Sequence, residues 1–174
     1  MSFRKQIKLL FFAIVLTIFS TSCNFNKTKS DVDELAQKIT VSEENVVRGV
    51  YLGMSPSEVL KAEVIKASVQ EANYLLYEAT TDSSDTYTIA YTFDEDSLSE
   101  IRIDVYTISE AKAAQLLIKL KEFFANKYDD PITENNTLFI WGIKLNGIPM
   151  RIELADESEE YKQGKISLTI YKDN

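Results

Sequence analysis

The chain has 174 residues, 45% of them hydrophobic, with five Gly and three Pro, so it is long enough to bury a core and lacks the composition of a disordered protein. The net charge is −8, and the first 22 residues hold three basic residues and no acidic one, so the rest of the chain carries −11. A domain this acidic repels nucleic acid and anionic lipid surfaces, and we expect neither to be a direct partner of the folded part.

An apolar run of eleven residues, Leu9–Phe19, follows the basic residues Arg4, Lys5 and Lys8. The run is too short for the apolar core of a bilayer, which takes about 20 residues of helix. A short apolar run behind a basic start is typical of a secretory signal peptide. We therefore predict that residues 1–22 are a signal peptide.

Cys23, the only cysteine of the chain, stands directly after Ser20-Thr21-Ser22. A lone Cys behind an apolar run and a small residue resembles the lipobox of bacterial lipoproteins, although Ser20 stands where that pattern prefers Leu. The resemblance implies cleavage before Cys23 and attachment of a diacylglyceryl group and an acyl chain such as palmitate, which together anchor a protein stably. We expect a lipid-anchored protein of the bacterial cell envelope, at the outer membrane. The alternative is an ordinary secretory signal that happens to contain a Cys.

A tether is predicted over residues 23–44, and a single folded domain over residues 45–174. Within the tether, Ser30–Asp33 resembles a capping box, and the apolar residues that follow fall at helical spacing. A short helix is therefore expected there, either docked on the domain or free. Val46–Leu52 is predicted to be a short strand or an extended segment.

The first helix of the domain is predicted to start at Pro56. Ser55 is a favourable N-cap, proline suits the first helical position, and Glu58 lies three residues after the cap. Ala72–Thr80 is predicted to be a strand. A second strand follows at Thr86–Phe93, where apolar and aromatic residues alternate with Thr and Ala in the pattern of a half-buried strand.

The acidic turn Asp94–Ser97 leads into a third strand, Glu100–Val105, with the same alternation. The longest amphipathic helix is predicted next, at Ser109–Tyr128, because the apolar residues of this segment are spaced by three and four. Asp129-Asp130-Pro131 ends that helix, since the residue before a proline is pushed out of the helical region. The apolar stripe consists of Ala113, Leu116, Leu117, Leu120, Phe123, Phe124 and Tyr128.

A β-hairpin is predicted around Asn146-Gly147, the commonest two-residue hairpin turn. The strands Leu138–Leu145 and Ile148–Leu154 flank it, and a last strand follows at Lys165–Lys172. The turn fixes a register that places eight apolar residues on one face. The predicted pairs are Leu145 with Ile148, Ile143 with Met150, Trp141 with Ile152, and Phe139 with Leu154.

The predicted order of elements is helix, three strands, helix, three strands, with the acidic loop Ala155–Gly164 before the last strand. Short connections between successive strands imply antiparallel pairing, and both helices are expected on one face of the sheet. We predict an α+β domain of two layers, with the element order αβββ-αβββ. The other face of the sheet is expected to be partly open.

Gly53–Val59 reads G-M-S-P-S-E-V and starts a helix that precedes an antiparallel sheet. This segment is similar to the BamE/SmpA-type envelope lipoproteins and to the related fold of β-lactamase-inhibitor proteins. The resemblance implies a binding protein without catalysis. It covers these seven residues, the element order and the lipobox, whereas the doubled αβββ unit and the long loops depart from those families.

Residues that carry chemistry are few. The chain has no His, the commonest general base and zinc ligand, and it contains no G-x-S-x-G, P-loop or G-x-G-x-x-G motif. Asp82 with Asp85 and Asp94 with Asp96 carry calcium-type ligands, but they lack the Gly and Glu spacing of an EF-hand, and solvated turns are the simpler interpretation. We expect no enzymatic activity, no cofactor and no metal.

The open sheet face holds the candidate binding residues. Apolar and aromatic side chains mixed with Arg are typical of protein-binding surfaces. Leu138 and Ile140 are predicted to point away from the helices, and either a partner or the Asp31–Thr40 segment is expected to cover them. By alternation the same face includes Asp104 and Glu153. The candidate partner-binding residues are Arg102, Tyr106, Ile140, Arg151 and Tyr171.

Two functions fit these patterns. The first is a non-catalytic interaction domain that binds another envelope protein. The second is a binder of small hydrophobic ligands, with a pocket between the long helix and the sheet lined by Tyr91, Phe123, Phe124 and Trp141. A continuous core favours the first function, and a cavity between helix and sheet favours the second.

We predict that Cys23 is the attachment site of the lipid anchor. Cys23→Ala should abolish metabolic labelling with fatty acid and move the protein out of the detergent phase, because no other thiol is available in the chain. Ser22→Ala keeps a small residue before the cysteine and is the control that should still be labelled. Labelling of the Cys23→Ala variant would contradict the lipoprotein interpretation.

Overall fold

The computed structural model describes residues 30–40 and 45–173, so Cys23 and the predicted signal peptide lie outside the described residues. The helices are α1 Asp31–Thr40, α2 Pro56–Ala62, α3 Glu110–Tyr128 and α4 Ser158–Tyr161. The strands are β1 Val69–Glu71, β2 Tyr74–Thr80, β3 Thr86–Asp94, β4 Ser97–Thr107, β5 Ile132–Asn135, β6 Leu138–Leu145, β7 Ile148–Asp156 and β8 Gly164–Lys172.

All eight strands belong to one antiparallel sheet, in the order β1-β2-β3-β4-β8-β7-β6-β5. The predicted α+β class with an antiparallel sheet is confirmed. The observed order of elements differs from αβββ-αβββ, because each half of the sheet has four strands and the short strands β1 and β5 were not predicted. The two halves are joined where β4 pairs with β8.

Strands β3 and β4 follow the predicted alternation, and their inward side chains form the centre of the core. The turn between them is also confirmed, since its two central residues, Glu95 and Asp96, have φ of 47° and 62°. Such a left-handed pair matches the twist of the flanking strands. The buried inward residues are Tyr87, Ile89, Tyr91, Phe93, Ile101, Ile103 and Val105.

The register predicted for the Asn146-Gly147 hairpin is confirmed, with all four expected pairs between β6 and β7. Both turn residues have positive φ, 52° for Asn146 and 84° for Gly147, which is the conformation that Asn and Gly tolerate best. Burial increases away from the turn. Ile143 is partly buried, whereas Trp141 and Ile152 are at most 2% exposed.

The long helix α3 starts and ends where its sequence predicts. The Ser109 hydroxyl accepts a hydrogen bond from the backbone N–H of Lys112 at 3.2 Å, which caps the first turn. Tyr128 is the last helical residue, and Asp129 follows it with φ of 67° before Pro131. The apolar stripe of α3 packs against β4, β6, β7 and β8.

Helix α1 is docked rather than free. Ser30 caps it by accepting the backbone N–H of Asp33 at 3.1 Å, as the capping-box pattern predicts. Val32, Leu35 and Ile39 are buried in the same core as the sheet, and the helix packs against α3. α1 therefore belongs to one packed unit with residues 45–173, although the sequence pattern assigned it to the tether.

A turn, not a strand, occupies the Val46–Leu52 segment. Arg48 and Gly49 have φ of 52° and 76°, and they connect an isolated bridge between Val47 and Val50. This turn directs the Arg48 side chain into the domain, where it is 9% exposed.

Arg48 forms a buried, bidentate ion pair with Glu63, with Nε–Oε1 and Nη2–Oε2 distances of 2.9 and 2.6 Å. The Arg48 guanidinium also donates to the carbonyl of Lys38 in α1, and the hydroxyl of Tyr91 donates to the Glu63 carboxylate. Burial, followed by the charge of Glu63, raises the pKa of Tyr91. The pair thus ties α1 and the end of α2 to strand β3.

We predict that Gly164→Ala destabilises the domain by about 1–3 kcal/mol, the usual cost of overpacking a close contact. A Cβ at Gly164 would lie 2.1 Å from the Thr107 Oγ1 and 2.4 Å from the carbonyl oxygen of Ser109, and this backbone cannot move without shifting the start of α3. The free energy of unfolding in urea measures the change.

Gly142→Ala is the matched control, because a Cβ at this strand glycine meets no atom within 4 Å. Its free energy of unfolding should stay within about 0.5 kcal/mol of the parent protein. Equal stability of the two variants would contradict the close approach of β8 to the start of α3.

Candidate functional site

The open face is defined here as the side of the sheet opposite the buried residues Ile101, Ile103 and Val105, and it carries all five candidate partner-binding residues. Arg102 and Tyr106 lie on β4, Tyr171 on β8, Arg151 on β7, and Ile140 on β6. Tyr171 on β8 pairs directly with Arg151 on β7. On its other side Tyr171 pairs with Glu100 of β4, which lies six positions before Tyr106 on that strand. Six strand positions span about 20 Å. The five residues therefore share a face but do not form one compact cluster.

Arg102 is held by Asp104 on the same strand, with an Nε–Oδ2 distance of 2.9 Å. The hydrogen bond to Asp104 raises the pKa of Arg102 above its ordinary value. The Arg102 side chain is 43% exposed, so its charge stays available to a partner.

Tyr171 and Arg151 form the other end of the site. The Tyr171 hydroxyl donates to the Glu153 Oε1 at 2.6 Å, and this hydrogen bond raises the pKa of Tyr171. Arg151 lies opposite Tyr171 and places its Nη2 3.5 Å from the Asp173 Oδ1. The aromatic ring and the cation are therefore fixed side by side.

Ile140 lies on the predicted face, but the expectation that it needs a partner or α1 as cover is wrong. It is only 7% exposed. Ile140 lies between Ile132 of the unpredicted strand β5 and Glu153 of β7. Helix α1 packs on α3 instead. The apolar surface on this part of the sheet belongs to Ile132, which is 69% exposed.

Lys165 is the feature of the open face that the sequence patterns did not single out. Its side chain is 2% exposed, and its Nζ lies 2.7 Å from the Glu157 Oε2 and 3.6 Å from the Asp104 Oδ1. The same Nζ lies 3.5 Å from the ring centroid of Tyr161 and 5.6 Å from that of Tyr106. Burial alone would lower the pKa of Lys165, but the bond to Glu157 and the neighbouring negative charge outweigh it, so the pKa is raised.

A hollow of about 380 Å³ opens on the other side of Tyr106, and we call it the Tyr106 hollow. Tyr106 stands between Thr86 on β3 and Lys165 on β8, so the hollow and the lysine flank the same aromatic side chain. The residues that line the hollow are Glu78, Ala79, Thr80, Thr86, Tyr87, Thr88 and Tyr106.

The acidic pairs considered for calcium differ in their surroundings. Asp94 and Asp96 are exposed at the β3–β4 turn. Asp85 is fully buried, and its Oδ2 lies 2.6 Å from the Nζ of Lys112, while the backbone N–H of Ile108 donates to its Oδ1. Within residues 30–40 and 45–173, no three His, Cys, Asp or Glu side chains are grouped as a metal-ligand set.

Three of the four aromatic residues considered for a ligand pocket, Phe123, Phe124 and Trp141, are packed against one another, whereas the ring of Tyr91 packs edge-on against Tyr77 at a centroid distance of 5.7 Å. The ring centroids of Phe124 and Trp141 are 5.5 Å apart, and those of Phe124 and Phe123 are 5.1 Å apart. Tyr91 and Trp141 are at most 2% exposed within the same core. Phe124 and Trp141 therefore fill part of the space in which the ligand pocket was predicted.

The segment that resembles envelope lipoproteins is a helix cap in the structure, since the Glu58 carboxylate accepts the backbone N–H of Ser55 at 2.7 Å. Comparisons of the chain with protein-family models, with curated proteins and with solved structures found no match. In the described part of the chain, no helix combines the length and apolar character needed to cross a membrane.

We predict that Asp85→Asn lowers stability at neutral pH by about 3–5 kcal/mol, because it leaves the Lys112 ammonium without its buried partner. Burial of Asp85 acts to raise its pKa, but the bonds from Lys112, Ser83 and Ile108 outweigh burial and lower it. A lowered pKa in the folded state gives stability that is present above the unfolded value and is lost as the pH falls through the folded value.

The difference in unfolding free energy between the parent protein and Asp85→Asn should therefore shrink as the pH falls below about 4. Urea unfolding at a series of pH values measures it. Asp94→Asn, at an exposed turn, is the control and should change stability by no more than about 0.5 kcal/mol. If the difference in unfolding free energy were constant between pH 7 and pH 3, that result would contradict the ion pair of Asp85 with Lys112.

Proposed function

We propose that this chain is a lipid-anchored lipoprotein of the bacterial cell envelope, attached through Cys23 after removal of residues 1–22, and that its domain binds another envelope protein without catalysis. Two features support the anchor, namely the position of the lone cysteine behind Leu9–Phe19 and the basic residues that precede this apolar run. We place the protein at the outer membrane.

The observation that carries the binding function is the composition of the open face. Half-exposed Arg and Tyr side chains stand on neighbouring strands of one continuous sheet, over about 20 Å. Arg and Tyr are the residue types that protein interfaces enrich. The proposal takes the domain as two layers, with α1 and α3 on one face of the sheet. The partner binds the exposed part of the other face, outside the place where Glu157 and Tyr161 contact Lys165.

The side chains of the open face are already held in place before any partner binds. Asp104 orients Arg102, and Glu153 orients Tyr171. Ordering a long side chain on binding costs about 0.5–1.5 kcal/mol, and prior ordering removes much of that cost. Both contacts therefore favour recognition, and the partly exposed ion pair of Arg102 with Asp104 itself contributes only about 0–1 kcal/mol to stability.

We predict that a photo-reactive amino acid at Thr169 crosslinks the partner protein in intact membranes, because Thr169 lies between Arg102 on β4 and Glu153 on β7. The same amino acid at Glu122, an exposed position of α3, is the control and should give no such product. Identical crosslinked products from both positions would contradict the assignment of the open face.

Arg102→Ala should then weaken the crosslink at Thr169 while leaving the melting temperature nearly unchanged. Lys119→Ala is the matched control, because Lys119 is 47% exposed and makes a comparable ion pair with Asp33 at 3.2 Å on the helical side. Equal effects of the two variants on crosslinking would mean that general charge, rather than the open face, determines binding.

A further inference from the structure

We infer that the Tyr106 hollow receives a lysine or arginine side chain of the partner protein, an inference that rests on the proposed function of the open face. The hollow has the volume for a long side chain, about 380 Å³. It lies at the Tyr106 end of the open face and is continuous with the surface that carries Arg102. A side chain inserted there would bring its own backbone onto that surface.

The groups that line the hollow are those that bind an organic cation. Glu78 is exposed, and its carboxylate makes no ion pair within the described residues. The hydroxyls of Thr80, Thr86 and Thr88 are acceptors for N–H donors, and Tyr106 adds an aromatic ring. An ammonium or guanidinium group is attracted both to a carboxylate and to a ring face.

The domain already contains one example of this recognition. On the β8 side of Tyr106, the Lys165 ammonium is held by the rings of Tyr106 and Tyr161 and by two carboxylates. The hollow on the β3 side offers the same ring and the Glu78 carboxylate. The carboxylates of Glu157 and Asp104 balance the charges of Lys165 and Arg102, so a second cation beside Tyr106 is not opposed by a net positive charge.

Charge complementarity selects the class of partner. The chain after residue 22 carries −11, so a basic surface is attracted at long range and an acidic one is repelled. Inside the hollow, the Glu78 carboxylate likewise attracts a cation and repels an anion. The occupant is therefore a basic segment of a protein rather than an acidic peptide.

The test is a titration of the isotope-labelled full chain in detergent with short glycine peptides that carry one central Arg, Lys or Glu. The Arg and Lys peptides should shift the backbone amide signals of Thr86, Thr88 and Tyr106, and the Glu peptide should not. Glu78→Gln should weaken the binding of the Arg peptide about fivefold, the effect of losing one exposed charge partner. Glu100→Gln removes the same charge from the same face outside the hollow and should leave the affinity unchanged.

Tyr106→Phe and Tyr106→Leu separate the aromatic ring from the hydroxyl. Phe should keep the affinity for the Arg peptide, whereas Leu should lower it several-fold because only the ring attracts a cation through its face. Equal losses in Glu78→Gln and Glu100→Gln, or equal shifts with the Arg and Glu peptides, would overturn the inference. Each variant is first checked for an unchanged melting temperature, and a Tyr106 variant that unfolds is replaced by Thr86→Glu, which should strengthen binding.

The two proposals fail separately. If the Thr169 probe crosslinks a partner and the hollow does not distinguish the Arg peptide from the Glu peptide, the inference about the hollow is wrong and the binding function of the open face stands. If the peptides bind in the hollow and Thr169 yields no crosslink, the proposed function is wrong and the inferred protein partner is wrong with it.

Discussion

The pairing of β4 with β8 is the constraint on which the rest of this structure depends. Among the residues that the structure describes, it is the one place where the two four-stranded halves of the sheet are hydrogen-bonded to each other. On the helical side it pairs Ile103 with Leu168 at the centre of the core, and on the open face it pairs Tyr106 with Lys165. A slip of one residue would turn every side chain of β8 to the opposite face. One register therefore determines both the core beneath α3 and the surface proposed for binding.

Buried charges connect the irregular segments to this framework. Arg48 with Glu63 joins the 46–52 turn to α2 and β3, and Asp85 with Lys112 joins the β2–β3 loop to the start of α3. Ions removed from water must be compensated closely, so such pairs tolerate few alternative conformations. The Arg48 contact with α1 also explains why that helix is part of the domain, since its end is fixed by a buried guanidinium as well as by apolar packing.

Local signals predicted most of the fold. The Asn146-Gly147 turn was sufficient to predict the register of its hairpin, without reference to the remaining strands. The caps of α1 and α2 and the end of α3 were also predicted from local sequence. Strands β1 and β5 were not, because three or four residues carry no clear alternation and become strands only through their neighbours. The position of Ile140 beside β5, instead of at the edge of the sheet, was missed for that reason. The five candidate residues were placed on the correct face, while Lys165 was missed because its surroundings depend on the pairing of distant strands.

The shortness of the outermost strands has a consequence for the behaviour of the protein at high concentration. β1 pairs only with Tyr74–Leu76 of β2, and β5 only with Leu138–Ile140 of β6. Within the described residues, the rest of β2 and of β6 therefore has no neighbouring strand on its outer side. Backbone left open in this way is a template for pairing with another chain. The uncovered parts carry the exposed charges Glu78 and Lys144, which oppose fibrillar association. The contribution of these two charges is thus to solubility, because each lies on the open edge of its own strand.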